Sequence, residues 1–427
     1  MQIRPRTVLV FIALLAAIYF IVKALSVYWV IVFFNVVLVY INCVFLFAYL
    51  ELRKRPKPEM GKWPTVSILI PNYNGEKTLA RCIDAVKQME YPLKKEIIVI
   101  DDGSTDSSPD ILRRIKGIEA ILQRKNAGKA HVLNIGLRAA KGEIVATVDS
   151  DTFPAKDALV KMVPHFGEGV GAVTGLVRAS NTKGFVEKIQ EIEYLVAFGF
   201  FQSVLSEING VFVTPGPMSV FRRKVLLDIG GYDETNITED MEIALRLQKH
   251  RYRIVAVPDA HIYTEVPHTL GQLFRQRTRW YRGKFVNTRK YAEMLFNPKY
   301  GEFGMFSFPF SLMVEALAIL LLIVTIAANI ENVLNYFGFF ASWLGISGSF
   351  FGLLPAVWGI NSSVYFYFLT VAMYSVLVYI SHKFVDEQVS LFKLPQVVFF
   401  LFVYGLFISA VYFVSFFKEV NSSGYRW

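Results

Sequence analysis

Asp149 and Asp151, separated by Ser150, follow the β-branched run Glu143–Val148. Residues two apart on an extended strand point to one side, so both carboxylates are expected to face one ligand. Two carboxylates with hydroxyls beside them suit a hard cation such as Mg2+ that also bridges diphosphate oxygens. Two earlier strand ends carry related clusters, Pro71-Asn72-Tyr73-Asn74-Gly75-Glu76 and Asp101-Asp102-Gly103-Ser104-Thr105-Asp106. Each cluster alone also reads as turn chemistry, and a lone Asp-x-Asp is weak evidence. Three at strand ends of one sheet point to one shared ligand.

Later segments add charges of the kind a phosphorylated ligand needs. Lys129 follows Asn126-Ala127-Gly128 at a helix start, where free N–H groups favour anions. It reads either as a phosphate contact or as a solvent-facing lysine, and the segment is no Walker loop because the flanking Gly and Ser/Thr are missing. Thr214-Pro215-Gly216-Pro217 and Gly230-Gly231-Tyr232 are turn-rich. Thr238-Glu239-Asp240 opens a helix over Met241–Lys249, with Thr238 placed as its cap and the acids favoured by the helix dipole. An acid at an exposed helix start is also held rigidly in reach of a cleft. Within Leu270–Arg289, the segment Gln276-Arg277-Thr278-Arg279-Trp280 is basic and aromatic, and a helix puts Gln276, Arg279 and Trp280 on one face. Arginine suits diphosphate and an indole suits an apolar sugar face; the opposite face suits anionic lipid.

The elements that position these groups follow from periodicity. Val66–Ile70, Glu96–Ile100, Ala120–Leu122 and Ile144–Val148 read as strands, alternating with helices over Thr78–Gln88, Ser107–Ile115 and Lys129–Ala139. That alternation predicts an α/β fold with a mostly parallel, doubly wound sheet, whose ligands bind beyond the carboxyl ends of the strands. Phe185–Leu205 reads as an interfacial helix or, equally, a core helix.

The chain has 427 residues, 54% of them hydrophobic, and the apolar excess lies at its two ends. Val8–Val22 and Val27–Leu50 read as two spans over residues 1–52. Arg4 and Arg6 before them and Arg53, Lys54, Arg55 and Lys57 after them put both flanks in the cytoplasm. A cleaved signal peptide is the other reading of the first run and leaves the middle domain, residues 53–300, on the same side. In 301–427, Phe308–Ile330, Val364–Ile380 and Val397–Phe417 read as spans. Phe337–Ile360, broken by Pro355, is a fourth span, a re-entrant segment or an interfacial loop. Glu315 inside the first of these is costly unless it faces polar surroundings, so it lines a path or lies at headgroup level. A net charge of +10 does not make a nucleic-acid binder, because many basic residues flank apolar runs and no reading module is present. Two cysteines, Cys43 and Cys82, form no disulfide framework.

Together these motifs resemble the family 2 inverting glycosyltransferases of GT-A fold, and most closely the processive membrane branch of hyaluronan, chitin, poly-N-acetylglucosamine and cellulose synthases. The resemblance runs from Pro64 to Arg289. Its strongest element is Gln276-Arg277-Thr278-Arg279-Trp280, which matches the Gln-x-x-Arg-Trp motif of that branch, and Thr238-Glu239-Asp240 falls in the expected order. It implies that the Pro71, Tyr73, Asn74, Glu76, Asp101 and Asp102 segments hold the nucleoside. Asp149 and Asp151 take the diphosphate and Mg2+ or Mn2+, the metal chiefly on Asp151. Asp240 is the implied general base beside Glu239. Gln276, Arg279 and Trp280 meet diphosphate and acceptor, and Gly216 and Pro217 belong to the acceptor region. The implied donor is a UDP-sugar, N-acetylglucosamine first, with alternation with glucuronate open. The implied partners are a growing polysaccharide and membrane lipid, with Glu315 on the translocation path. The regulatory extension of bacterial cellulose synthases has no counterpart here. A non-processive transfer to polyprenyl phosphate or another lipid is the nearest alternative. A nucleotide-sensing transporter is a third, disfavoured by few spans and no paired hydrophobic repeats.

Overall fold

The computed structural model describes residues 60–316, 362–384 and 393–420, together with scattered positions between 29 and 58. Its centre is one eight-stranded sheet in the order β3-β2-β1-β4-β7-β6-β8-β5. β1 (Val66–Asn72), β2 (Glu96–Asp101), β3 (Glu119–Leu122) and β4 (Ile144–Val148) are mutually parallel. Strand alternation feeds two cores. Val66, Ile68 and Ile70 pack on one face with Leu79, Cys82, Ile83 and Val86 of the Leu79–Gln88 helix. Leu69, Ile98 and Ile100 pack on the other with Val132, Leu133 and Leu137 of the Lys129–Ala139 helix. Leu79, Cys82, Ile83 and Val86 recur at three and four, as do Ala130, Leu133 and Leu137, which makes one apolar stripe per helix. Truncating one such side chain, Ile98→Ala for instance, costs about 2–5 kcal/mol.

The second half of the sheet departs from the mostly parallel expectation. β7 (Met218–Arg222) lies antiparallel between β4 and β6 (Val170–Ala179), β5 (Thr152–Pro154) is antiparallel to β8 (Arg253–Thr264), and only β6 and β8 pair in parallel. The reversal has a positional consequence. A strand antiparallel to β4 begins at the tip where β4 ends, so the Gly216-Pro217 turn arrives beside the acids there. Asp149 N–H donates to the Pro217 carbonyl at 3.1 Å.

Phe185–Tyr194 continues through a π-helical turn, Leu195–Phe201, into Gln202–Glu207. The run lies between the sheet and the C-terminal helices. Gln202 Nε2 donates to Thr174 Oγ1 of β6 at 3.0 Å, whereas Ile192 and Val196 pack against Val378. The Leu270–Lys290 helix starts with a full capping box, Thr269 with Gln272.

Among the described residues, one helix is long and apolar enough to cross a membrane: Leu394–Val420, whose most apolar 18-residue stretch has a mean hydropathy of 2.5. It contains the predicted span Val397–Phe417. The predicted span Val364–Ile380 lies within the helix Ser362–Phe384. Of the predicted span Phe308–Ile330, the part up to Ala316 lies in the apolar helix Phe303–Ala316, and the rest lies outside the described residues. Val8–Val22 and Phe337–Ile360 lie outside the described residues, as does most of Val27–Leu50.

Candidate active site

Asp149, Ser150 and Asp151 do not continue β4. Thr152 N–H donates to the Asp149 carbonyl at 3.0 Å, so the chain turns at Ser150, and β5 starts beyond it. The two carboxylates share a cleft through this turn rather than through strand alternation, and each lies within electrostatic range of the other. Lys129, at the start of its helix, reaches across to Asp149 Oδ1 at 2.6 Å and to Glu239 Oε1 at 2.9 Å. The lysine thus joins the tip of β4 to the start of the Glu239–Lys249 helix instead of standing in solvent. Asp240 follows Glu239, and its carbonyl accepts from Thr214 N–H at 3.2 Å and Thr214 Oγ1 at 2.9 Å.

The point where these groups meet is Gly216. A Cβ added there would stand 3.0 Å from Lys129 Nζ, 3.1 Å from Asp149 Oδ2 and 3.7 Å from Asp240 Oδ2. Glycine leaves that point open. Arg279 lies within electrostatic range of both Glu239 and Asp240. Trp280 packs on Val177, Ala179, Tyr194 and Val266, and Tyr194 in turn lies within range of Asp151. Acids from a strand tip, acids from a helix start and Arg279 of the basic helix therefore lie within electrostatic range around Lys129.

Crowding shifts these acids apart. Burial pushes Asp149 up to about 7, with Lys129 opposing and Asp151 adding to the rise. Desolvation by the cleft walls also raises Asp151, whose carboxylate accepts from Thr152 Oγ1 and Thr264 Oγ1, each at 3.4 Å. Burial, then the charge of Glu239, pushes Asp240 up to about 6 against Lys129 and Arg279. Burial opposes ionisation of Glu239 too, but Lys129 outweighs it and holds this carboxyl below its ordinary range. Environments that push neighbouring carboxyls apart mark an acid–base site.

The donor set also suits a divalent cation. Asp149 and Asp151 offer hard oxygens in a cleft with more acid than base. Among the described residues no third Asp, Glu, His or Cys completes a protein cage around them. That is the donor set for an ion that keeps water and phosphate oxygens as its remaining ligands, as Mg2+ does.

Other predicted residues are placed differently. Thr238 precedes its helix but makes no side-chain cap; its Oγ1 accepts from Asn287 Nδ2 at 3.0 Å and pairs with Asn236 Oδ1 at 3.4 Å. Pro71 is buried in β1. Asp101 accepts from Asn72 Nδ2 at 2.8 Å and from Ser104 Oγ at 2.6 Å. Asp102 accepts from Ala127 N–H and Gly128 N–H, both at 2.8 Å. Asn74 accepts from Thr105 N–H at 2.8 Å, and Glu76 accepts from Ser107 N–H at 3.1 Å. Those four side chains tie loops together, whereas Tyr73 is 51% exposed. Gln276 Oε1 accepts from Arg277 Nη1 at 2.7 Å. Glu315 pairs with Lys284 and accepts from Tyr412 at 3.0 Å.

Sequence reasoning passed over Arg277, treated as one basic residue among several, although it shares a helical stripe with Leu273 and is buried with it. It also passed over Asn134, which accepts from Tyr232 N–H at 2.8 Å and donates to the Tyr232 carbonyl at 2.9 Å, pinning the loop that leads to Glu239.

A family model described as "Glycosyltransferase like family 2" matches residues 64–283, just over half of the chain. A poly-beta-1,6-N-acetyl-D-glucosamine synthase of Staphylococcus aureus is 31% identical over 268 residues, covering 61% of this chain and 62% of that protein. The protein of the same name from Staphylococcus epidermidis is 34% identical over 232 residues, covering 53% and 56%. The chain thus spans less than two thirds of the length of these relatives. Among solved structures, a mannosyltransferase from Pyrobaculum calidifontis in complex with GDP-Man and Mn2+ superposes with a TM-score of 0.62 at 19% identity, covering 96% of this chain and all of that one. At that identity the likeness shows a shared fold.

Proposed function

The chain belongs to the glycosyltransferase-like family 2, and from that premise we propose that it polymerises N-acetylglucosamine from a UDP-linked donor at a cytoplasmic membrane face. The observation that carries this reading is the convergence of Lys129, Asp149 and Asp240 on the open point at Gly216. The activity named for the relatives supports the choice of sugar and makes a β-1,6 linkage the first to test. The apolar helix Leu394–Val420 supports the membrane setting.

In this reading Tyr73 meets the nucleoside at the mouth, and Asp101, Asp102, Asn74 and Glu76 hold the loops around it. Asp149 and Asp151 would hold Mg2+ or Mn2+, which supplies charge neutralisation for the departing diphosphate. Arg279 lies on the same wall as a second counter-charge. Asp240 takes the proton of the acceptor hydroxyl as that oxygen attacks the anomeric carbon. The glycosidic C–O bond to phosphate breaks on the opposite face, so configuration inverts. A base near 6 is still mostly ionised at neutral pH and accepts the proton with little mismatch. Glu239, kept ionised by Lys129, sustains that basicity. Trp280 offers an indole face to the acceptor sugar, Gly216 and Pro217 border it, and Glu315 stands on the exit side with Lys284.

Purified protein incubated with a panel of UDP- and GDP-sugars, with Mg2+ or Mn2+, tests this directly. The expected outcome is UDP release from UDP-N-acetylglucosamine together with a high-molecular-weight product. A single-sugar product on lipid would replace polymerisation with the non-processive alternative. No release from any donor would end the assignment.

A further inference from the structure

Arg277 is 1% exposed and heads the largest fully buried side chains of the described residues. Its guanidinium contacts fall on two elements, the Phe185–Tyr194 helix and its own helix, Leu270–Lys290. Nη2 meets Glu193 Oε2 of the Phe185–Tyr194 helix at 2.6 Å. Nη1 donates to Gln276 Oε1 at 2.7 Å. The guanidinium carbon stands 4.0 Å from the centroid of the Trp280 ring, with Tyr194 on a second side at 5.8 Å. Glu193 Oε2 also accepts from the hydroxyl of Tyr404, at 2.7 Å, and Tyr404 belongs to the apolar helix Leu394–Val420. That helix is fastened to the same region twice more, by Lys393 to Glu191 at 2.9 Å and by Glu419 to Arg282 at 3.2 Å.

A charge this deep is expensive unless it is paired and hydrogen-bonded. Its place explains the expense: a planar guanidinium can stack on an indole while its edge bonds a carboxylate and an amide, and an ammonium cannot. We propose that Arg277 is a positioning residue that sets Trp280 and Gln276 in the cleft, with its own position fixed by Glu193 and by Tyr404 of the apolar helix. Trp280 is therefore referenced to the membrane-crossing element as well as to the sheet, and the acceptor face is held in register with the apolar helix. The part of this inference that concerns sugar transfer rests on the role proposed above for Trp280.

The test uses the full chain in lipid nanodiscs and two independent readings. The first is structural: iodide quenching of the Trp280 component of fluorescence, taken as the difference between each protein and its Trp280→Phe counterpart. In Arg277→Lys that component is expected to become at least twofold more accessible, and in Tyr404→Phe to change in the same direction by less. An unchanged Trp280 component in a variant that unfolds at the wild-type temperature overturns the proposal, whatever the enzyme's substrate proves to be. The second reading is the ratio of sugar transferred to UDP released. Arg277→Lys is expected to lower it at least fivefold while the donor KM moves less than twofold. Arg277→Lys combined with Trp280→Ala should be no worse than Trp280→Ala alone. Multiplicative losses in the double variant would show that Arg277 does not act through Trp280. If Trp280→Ala leaves the ratio unchanged while the quenching shift appears, positioning stands and the acceptor role of Trp280 falls.

Discussion

The polar loops of the parallel half of the sheet and the polar groups of its antiparallel half look alike in sequence and differ in use. In the first, Asp101, Asp102, Asn74 and Glu76 have their acceptors filled by backbone N–H groups and neighbouring side chains. In the second, Glu239 and Asp240, with Asp149 at the tip of the junction strand β4, crowd round a single lysine and an open glycine, with more negative charge than local donors neutralise. Satisfied carboxylates build; under-satisfied ones in a cleft are poised to bind a cation or take a proton. The comparison teaches that acid density at strand ends does not locate chemistry, whereas incomplete compensation does.

The hardest blow to this contrast falls on Asp240. Asp240→Asn keeps size and removes the base, so single-turnover transfer should fall by about 10²–10⁴. Titration of donor with the inert variant should give a Kd within about twofold of the wild type, because the base belongs to the acceptor side. Full turnover in Asp240→Asn would move the chemistry elsewhere.

Acidification should act on the same carboxylate more gradually. Its folded value is raised to about 6, so protonation as pH falls through 6 removes the base. Turnover should drop about tenfold per unit below that point. Glu239→Gln takes away the like charge and should shift the acid limb toward lower pH. A limb that stays put would separate the two acids.

A smaller effect is expected where the basic helix touches the start of the Glu239–Lys249 helix. A Cβ on Gly283 would come within 2.2–2.8 Å of the Thr238 side chain, so the basic helix must back away from the start of the Glu239–Lys249 helix. Gly283→Ala should cost about 1–3 kcal/mol by overpacking, read from thermal unfolding, and lower turnover several-fold. Unchanged unfolding would mean the helices separate freely.

Much of this was legible beforehand, and the reasons differ by element. The parallel strands were readable because β-branched alternation is local, and their boundaries moved by only a residue or two. The antiparallel β7 was not, because no local pattern distinguishes the direction in which a strand enters a sheet. Asp149, Asp151, Glu239 and Asp240 stood out as types, but the bridge from Lys129 to both Asp149 and Glu239 spans 110 residues of chain and has no local signature. Thr238 looked like a helix cap, yet a tertiary partner, Asn287, takes its hydroxyl. Arg277 was hidden by its neighbours: five basic residues in one run suggest a solvated face, and only the stripe it shares with Leu273 betrays that one of them is inside.

The smallest effect on turnover, and the sharpest division between the two halves, should come from Asp102→Asn. Both oxygens of Asp102 accept backbone N–H groups, from Ala127 and Gly128, immediately before Lys129. An amide can accept only one of them and turns an N–H toward the other, leaving a half-satisfied buried group worth about 1–3 kcal/mol. For a domain of this size that is about 2–4 °C in Tm per kcal/mol. The donor KM should change less than threefold, because Lys129 remains anchored by Asp149 and Glu239 at its far end. The opposite pattern, a tenfold rise in donor KM at constant Tm, would make Asp102 a direct nucleoside contact and move it from the loop-building half of the comparison to the ligand-binding one.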